Sequence, residues 1–116
     1  MTTASGGSPR YSIVVPVYNE QAGLPVLLTR LDGLLQDLDA PAEVVFVDDG
    51  STDCSAIVLR AKAKDDPRYR YLGLSRNFGH QTAITAGMDV AAGDAVIVMD
   101  ADMQDPPEVV HQMIAR

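Results

Sequence analysis

The sequence predicts an α/β domain built on a parallel sheet, and three observations carry that prediction. Short apolar runs recur four times, as YSIVVPV, EVVFVD, YRYLGLS and AVIVMD. Each is followed by a stretch with helical spacing, the alternation that gives a parallel sheet covered by helices on both faces. The first run is continuously apolar, as in a strand buried on both sides.

Taken in order, MTTASGGSPR (1–10) is rich in Ser, Thr and Gly and reads as a flexible tail before a single domain over 11–116. The first strand is Tyr11–Val17. Leu24, Leu27, Leu28, Leu31, Leu34, Leu35 and Leu38 then share one helical face. Asn19 is the expected N-cap, and Pro25 requires the helix proper to start close to it. Asp39, Ala40 and Pro41 break the pattern before a second strand at Glu43–Asp48. In DDGSTD, Gly50 can adopt positive φ, and Ser51, Thr52 or Asp53 can cap a helix from about Cys54 to Lys64. The third strand, Tyr69–Ser75, alternates only partly. A helix of small residues over Gln81–Ala92 is expected to end with Gly93 as C-cap. The fourth strand is Ala95–Asp100, and Pro106 and Pro107 suit the first turn of a last helix containing Val109, Val110, Met113 and Ile114.

Composition narrows the classes of function. At 116 residues and 47% hydrophobic, the chain can bury one core. Its formal charge of −7 repels phosphate backbones, so nucleic acid is excluded as the expected partner and a phosphorylated ligand calls for a divalent cation. The single cysteine, Cys54, cannot form an intrachain disulfide. No signal peptide or apolar run of membrane-spanning length is visible, which leads to the expectation of a cytoplasmic, soluble chain.

In open parallel sheets, ligands bind beyond the carboxyl ends of the strands. The polar residues collect there: Pro16, Tyr18, Asn19 and Glu20; Asp48, Asp49, Gly50 and Ser51; Ser75, Arg76, Asn77, Phe78, Gly79 and His80; Asp100, Asp102, Gln104 and Asp105. Any one cluster fits ordinary turn chemistry. Together they crowd carboxylates on one edge, where the acids raise one another's pKa unless a cation intervenes. Asp100, Asp102 and Gln104 offer oxygen ligands at alternate positions, the donors a hard divalent metal takes. Asp105 is better suited to capping the next helix, and the methionines to filling the core. His80, near a helix start, is expected to be structural or exposed, and His111 to be solvated.

VPVYNE, VDDGS and MDADMQDPPE, in this order and spacing, resemble the inverting family 2 glycosyltransferases of the GT-A fold. LSRNFGHQTAITAGMD narrows the resemblance to the polyprenyl-phosphate glycosyltransferases, relatives of dolichol-phosphate mannose synthase. The resemblance implies a Rossmann-like nucleotide-binding half, a strand order of third-second-first-fourth, and a UDP- or GDP-linked sugar donor. It places Pro16, Tyr18 and Glu20 in the nucleotide pocket, Tyr18 near the base. It sets Val47 and Asp49 against base or ribose, with Asp48 supporting their loop. Arg76 and Asn77 would orient the donor, and Asp100, Asp102 and Gln104 would hold Mg²⁺ or Mn²⁺ against its diphosphate.

The same resemblance covers only the first half of such a catalytic domain. The expectation is therefore of a truncated unit that turns over no sugar by itself, with the acceptor-activating base beyond residue 116. The complete protein would act on a lipid-phosphate acceptor, at the cytoplasmic membrane face if it carries C-terminal membrane helices. A non-catalytic nucleotide- or metal-binding module is the alternative. A phosphoacceptor domain would want a lysine on the carboxylate edge, yet Lys62 and Lys64 fall in a helix. No Gly-x-Gly-x-x-Gly follows the first strand, which disfavours a dinucleotide fold. AVIVM would form an apolar edge strand, with a homodimer through that edge as the expected consequence.

Overall fold

The computed structural model describes residues 9–38 and 40–101. Four strands, β1 (Tyr11–Val17), β2 (Ala42–Asp48), β3 (Tyr69–Gly73) and β4 (Ala95–Val98), form one parallel sheet in the order β3-β2-β1-β4. Three helices connect them: α1 (Leu24–Asp37), α2 (Ser55–Asp65) and α3 (His80–Val90). The expected strand order is the observed one. The last expected helix, with Asp102, Gln104 and Asp105 before it, lies outside the described residues, as does most of the N-terminal tail.

β1 and β2 are central and buried along almost their whole length because both faces are covered. On one face Ile13, Val15, Val17, Val44 and Phe46 pack with α1 leucines and Leu59 of α2. On the other, Val14, Val45 and Val47 meet Ala83 of α3. The small residues of α3 explain how closely that helix approaches. A Cβ at Gly87 would collide with Val14 Cγ1 and come within 2.9 Å of Val47 Cγ2. β3 alternates only partly because it is an edge strand, with just Tyr69 fully buried.

Several local expectations change, among them the cap of α2, where Cys54 and not Ser51, Thr52 or Asp53 occupies the N-cap. Asn19 does not cap α1; a single 3-10 turn, Gln21–Gly23, intervenes and Gly23 occupies the N-cap. Pro25 sits in the first helical turn, where its missing N–H costs no intrahelical bond. Gly93 is not a left-handed C-cap, since α3 ends at Val90 with Ala91 extended. Gly93 instead packs against the backbone of Tyr11 and Ser12, where a Cβ would come to 2.7 Å. β4 ends at Val98, two residues before the expected Asp100, as the chain leaves the sheet toward the carboxyl edge.

At the amino edge, Glu43 gathers the elements. Its carboxylate accepts hydrogen bonds from Ser12 Oγ (2.6 Å), Arg70 Nη1 (3.0 Å) and the Ala92 N–H (2.7 Å). Burial pushes its pKa up, but these bonds outweigh burial and hold the carboxyl below its ordinary value. Among the described residues, no helix is long and apolar enough to cross a membrane.

Candidate functional site

The sheet order reverses between β1 and β4, and a cleft of about 430 Å³ opens there, beyond the carboxyl ends of the strands. Its walls are Pro16 and Val17 at the end of β1, Tyr18 and Glu20 just after it, and Asp100 with Ala101 after β4. Asp49 after β2, Asn77 and Gly79 before α3, and His80 at the first position of α3 complete it. Of the residues singled out from sequence, Pro16, Tyr18, Glu20, Asp49, Asn77 and Asp100 thus come together at one place.

Side-chain to backbone hydrogen bonds hold the loops around the cleft. Asn19 adopts a positive φ of 52°, a conformation Asn tolerates better than most residues. There its Oδ1 accepts the N–H of Thr52 (2.8 Å) and Asp53 (3.3 Å), while its own N–H donates to Ser51 Oγ. The Glu20 N–H donates to Ser55 Oγ, and Gln21 exchanges bonds with Asp53 and Cys54. The expected cap of α1 is therefore a clasp between the first and second loops, close to the start of α2. Gly50, at φ 77°, lies against the next loop so tightly that a Cβ would overlap the backbone of Arg76 and Asn77.

Asp48 and Asp49 are neighbours with different work. Asp48 is 3% exposed; it accepts the Ser51 N–H at 3.0 Å and the Tyr71 hydroxyl at 2.8 Å, so it supports the loop from beneath. Burial, then this bond, raises the Tyr71 pKa. Asp49 accepts the N–H of Phe78 (2.8 Å) and Gly79 (3.2 Å), which fixes the loop leading into α3.

Besides Asp48, two residues singled out from sequence do not line the cleft. Val47 is fully buried under α3, so any contact it makes with a ligand runs through its backbone. Arg76 stacks its guanidinium over Phe78, 4.7 Å from the ring centroid. His80, expected to be structural or exposed, is exposed but faces the cleft, with Nε2 3.7 Å from Asp100 Oδ1. Its membership of the polar cluster that follows the third strand was the signal for this.

Asp100 is the carboxylate best suited to a cation. Its side chain is 37% exposed and turned to the cleft, with His80 beyond hydrogen-bonding distance. A carboxylate that faces the cleft and, among the described residues, accepts no backbone N–H fits a hard divalent ion. Among the described residues, no three His, Cys, Asp or Glu side chains gather as a metal cluster. Asp102 and Gln104, the other expected ligands, lie outside the described residues.

Comparison with known proteins identifies the surroundings of this cleft. The family model for glycosyl transferase family 2 matches residues 12–116. An uncharacterised glycosyltransferase of Bacillus subtilis, YkcC, is 50% identical over 92% of this chain and 33% of its own length. The undecaprenyl-phosphate 4-deoxy-4-formamido-L-arabinose transferase of Yersinia enterocolitica is 43% identical over 91% of this chain and 33% of its own. That of Pseudomonas aeruginosa is 45% identical over 90% and 31%. The chain spans about a third of the length of the curated relatives it matches. Among solved structures, S. aureus TarS with UDP-GlcNAc aligns at a TM-score of 0.74 and 27% identity, over 91% of this chain and 30% of that one. The mannosyltransferase PcManGT from Pyrobaculum calidifontis, in complex with GDP-Man and Mn²⁺, aligns at 0.65 and 31%, over 81% and 28%. The parallel sheet is that of the GT-A glycosyltransferases, and the chain belongs to glycosyl transferase family 2.

Proposed function

We propose that the whole protein is a metal-dependent, inverting glycosyltransferase that moves a sugar from a nucleotide diphosphate to a polyprenyl phosphate. One observation carries this reading: the cleft at the β1–β4 switch point brings Tyr18, Glu20 and Asp100 together. The undecaprenyl-phosphate transferases among the relatives support the acceptor, and the GDP-Man and UDP-GlcNAc complexes support the donor class.

In this reading Tyr18 lies near the base, while Pro16 and Glu20 shape the pocket. Asp49 sets the loop beside the nucleotide from its two backbone bonds. Asn77 orients the donor, and Arg76 joins it only by leaving the Phe78 ring. Asp100, with Asp102 and Gln104, would hold Mg²⁺ or Mn²⁺, which supplies Lewis-acid neutralisation of the departing diphosphate. The Mn²⁺ in the PcManGT complex supports a divalent ion. The protein's own share is placement: the donor's charged end lies beside Asp100 and its base lies toward β1.

The test is turnover by the whole protein with UDP- or GDP-linked sugars and undecaprenyl phosphate. The expected product is a sugar joined to the lipid phosphate with inverted anomeric configuration, formed only when a divalent ion is present. Undiminished turnover in excess chelator would rule out the metal, and a retained configuration would rule out inversion.

A further inference from the structure

We propose that His80 is a further donor-positioning residue, whose ring N–H contacts the phosphates of the nucleotide diphosphate beside Asp100. This rests on the nucleotide-sugar reading of the cleft. The imidazole Nε2 is 3.7 Å from Asp100 Oδ1, too long for a hydrogen bond yet close enough for both groups to face one ligand. Its side chain is 62% exposed, so packing does not account for its orientation.

The charge around it makes the contact useful. Glu20, Asp49 and Asp100 line the cleft, and among the described residues no lysine or arginine does. Arg76 lies over Phe78, and Lys62 is bound to Asp32 at 3.0 Å. A polyanion entering this acidic cleft needs hydrogen-bond donors from the protein, and an imidazole presents at least one N–H in either protonation state. His80 is also the first residue of α3, so the positive end of that helix opens at the same place. The Asp49 bonds to Phe78 and Gly79 fix the two residues just before it, which makes the ring's starting point a built feature of the loop.

Calorimetric titration of the chain with uridine, UMP and UDP, and with guanosine, GMP and GDP, tests this assignment. Wild type, His80→Ala and His80→Asn are compared, each with and without Mn²⁺. For the diphosphate that wild type binds, His80→Ala is expected to weaken affinity about tenfold, the scale of one hydrogen bond to a charged group. Nucleoside affinity should stay unchanged, and His80→Asn, which keeps an N–H donor, should recover part of the loss. Three results would overturn the assignment: unaltered diphosphate binding, an equal loss for the nucleoside, or a loss confined to Mn²⁺ titrations with weaker binding of Mn²⁺ alone. Wild type that binds neither UDP nor GDP would instead overturn the nucleotide reading of the cleft, and His80 with it.

Discussion

Asp49, Asp100 and Glu43 are carboxylates on one small sheet, and their partners decide what each can do. Asp49 accepts two backbone N–H groups and is 4% exposed. Asp100 faces the cleft and, among the described residues, accepts no hydrogen bond, so a cation can use it. Glu43 sits at the opposite edge, ionised and held by Ser12, Ala92 and Arg70. Because its folded pKa is depressed, its contribution to stability is present above the ordinary value of 4.5 and is lost as pH falls through the lower folded value. Urea titrations should therefore show stability falling as pH drops below about 4.5, with a shallower fall in Glu43→Gln. An identical pH slope in the variant would contradict this. Asp49 and Asp100 were legible in the sequence as part of a cluster at the strands' carboxyl ends, while Glu43, at the amino edge, was not singled out. The division of labour was not legible, because it depends on which backbone N–H groups a tertiary fold brings to each oxygen. Asn19 shows the same limit: its partners lie 33 and 34 residues away, at Thr52 and Asp53.

At the level of elements, periodicity was enough to find every strand and α-helix among the described residues, because apolar runs of period one or 3.6 report burial directly. Boundaries moved where local chemistry competed. The 3-10 turn delayed α1, and the close packing of Gly93 on Ser12 gave that glycine a different reason to be there. The order β3-β2-β1-β4 came from resemblance, since periodicity cannot rank strands across a sheet. That order leaves β4 at one end, with Val96 37% and Val98 38% exposed and, among the described residues, no strand paired on its outer side. Such an edge is a template for another strand. Homodimerisation of the chain through β4 is the expected result, seen as concentration-dependent mass in light scattering and reduced by Val96→Lys. A strictly monomeric species at high concentration would contradict it.

For the molecule as a whole, the sheet is a scaffold that delivers four loops to one edge, and α3 closes the cleft between the first and last of them. Side-chain clasps from Asn19, Asp48 and Asp49 tie the first three of those loops together, which lowers the conformational entropy they lose on binding. The central claim is that this acidic cleft binds a nucleotide diphosphate through a divalent ion on Asp100. The direct measurement is the electron paramagnetic resonance of free Mn²⁺, titrated with the chain in the presence of UDP or GDP. The free-ion signal should fall with wild-type chain plus one of the nucleotides, and fall far less with Asp100→Asn, while both proteins melt at similar temperatures. Equal Mn²⁺ capture by wild type and Asp100→Asn, or no capture by either with both nucleotides, would contradict the account.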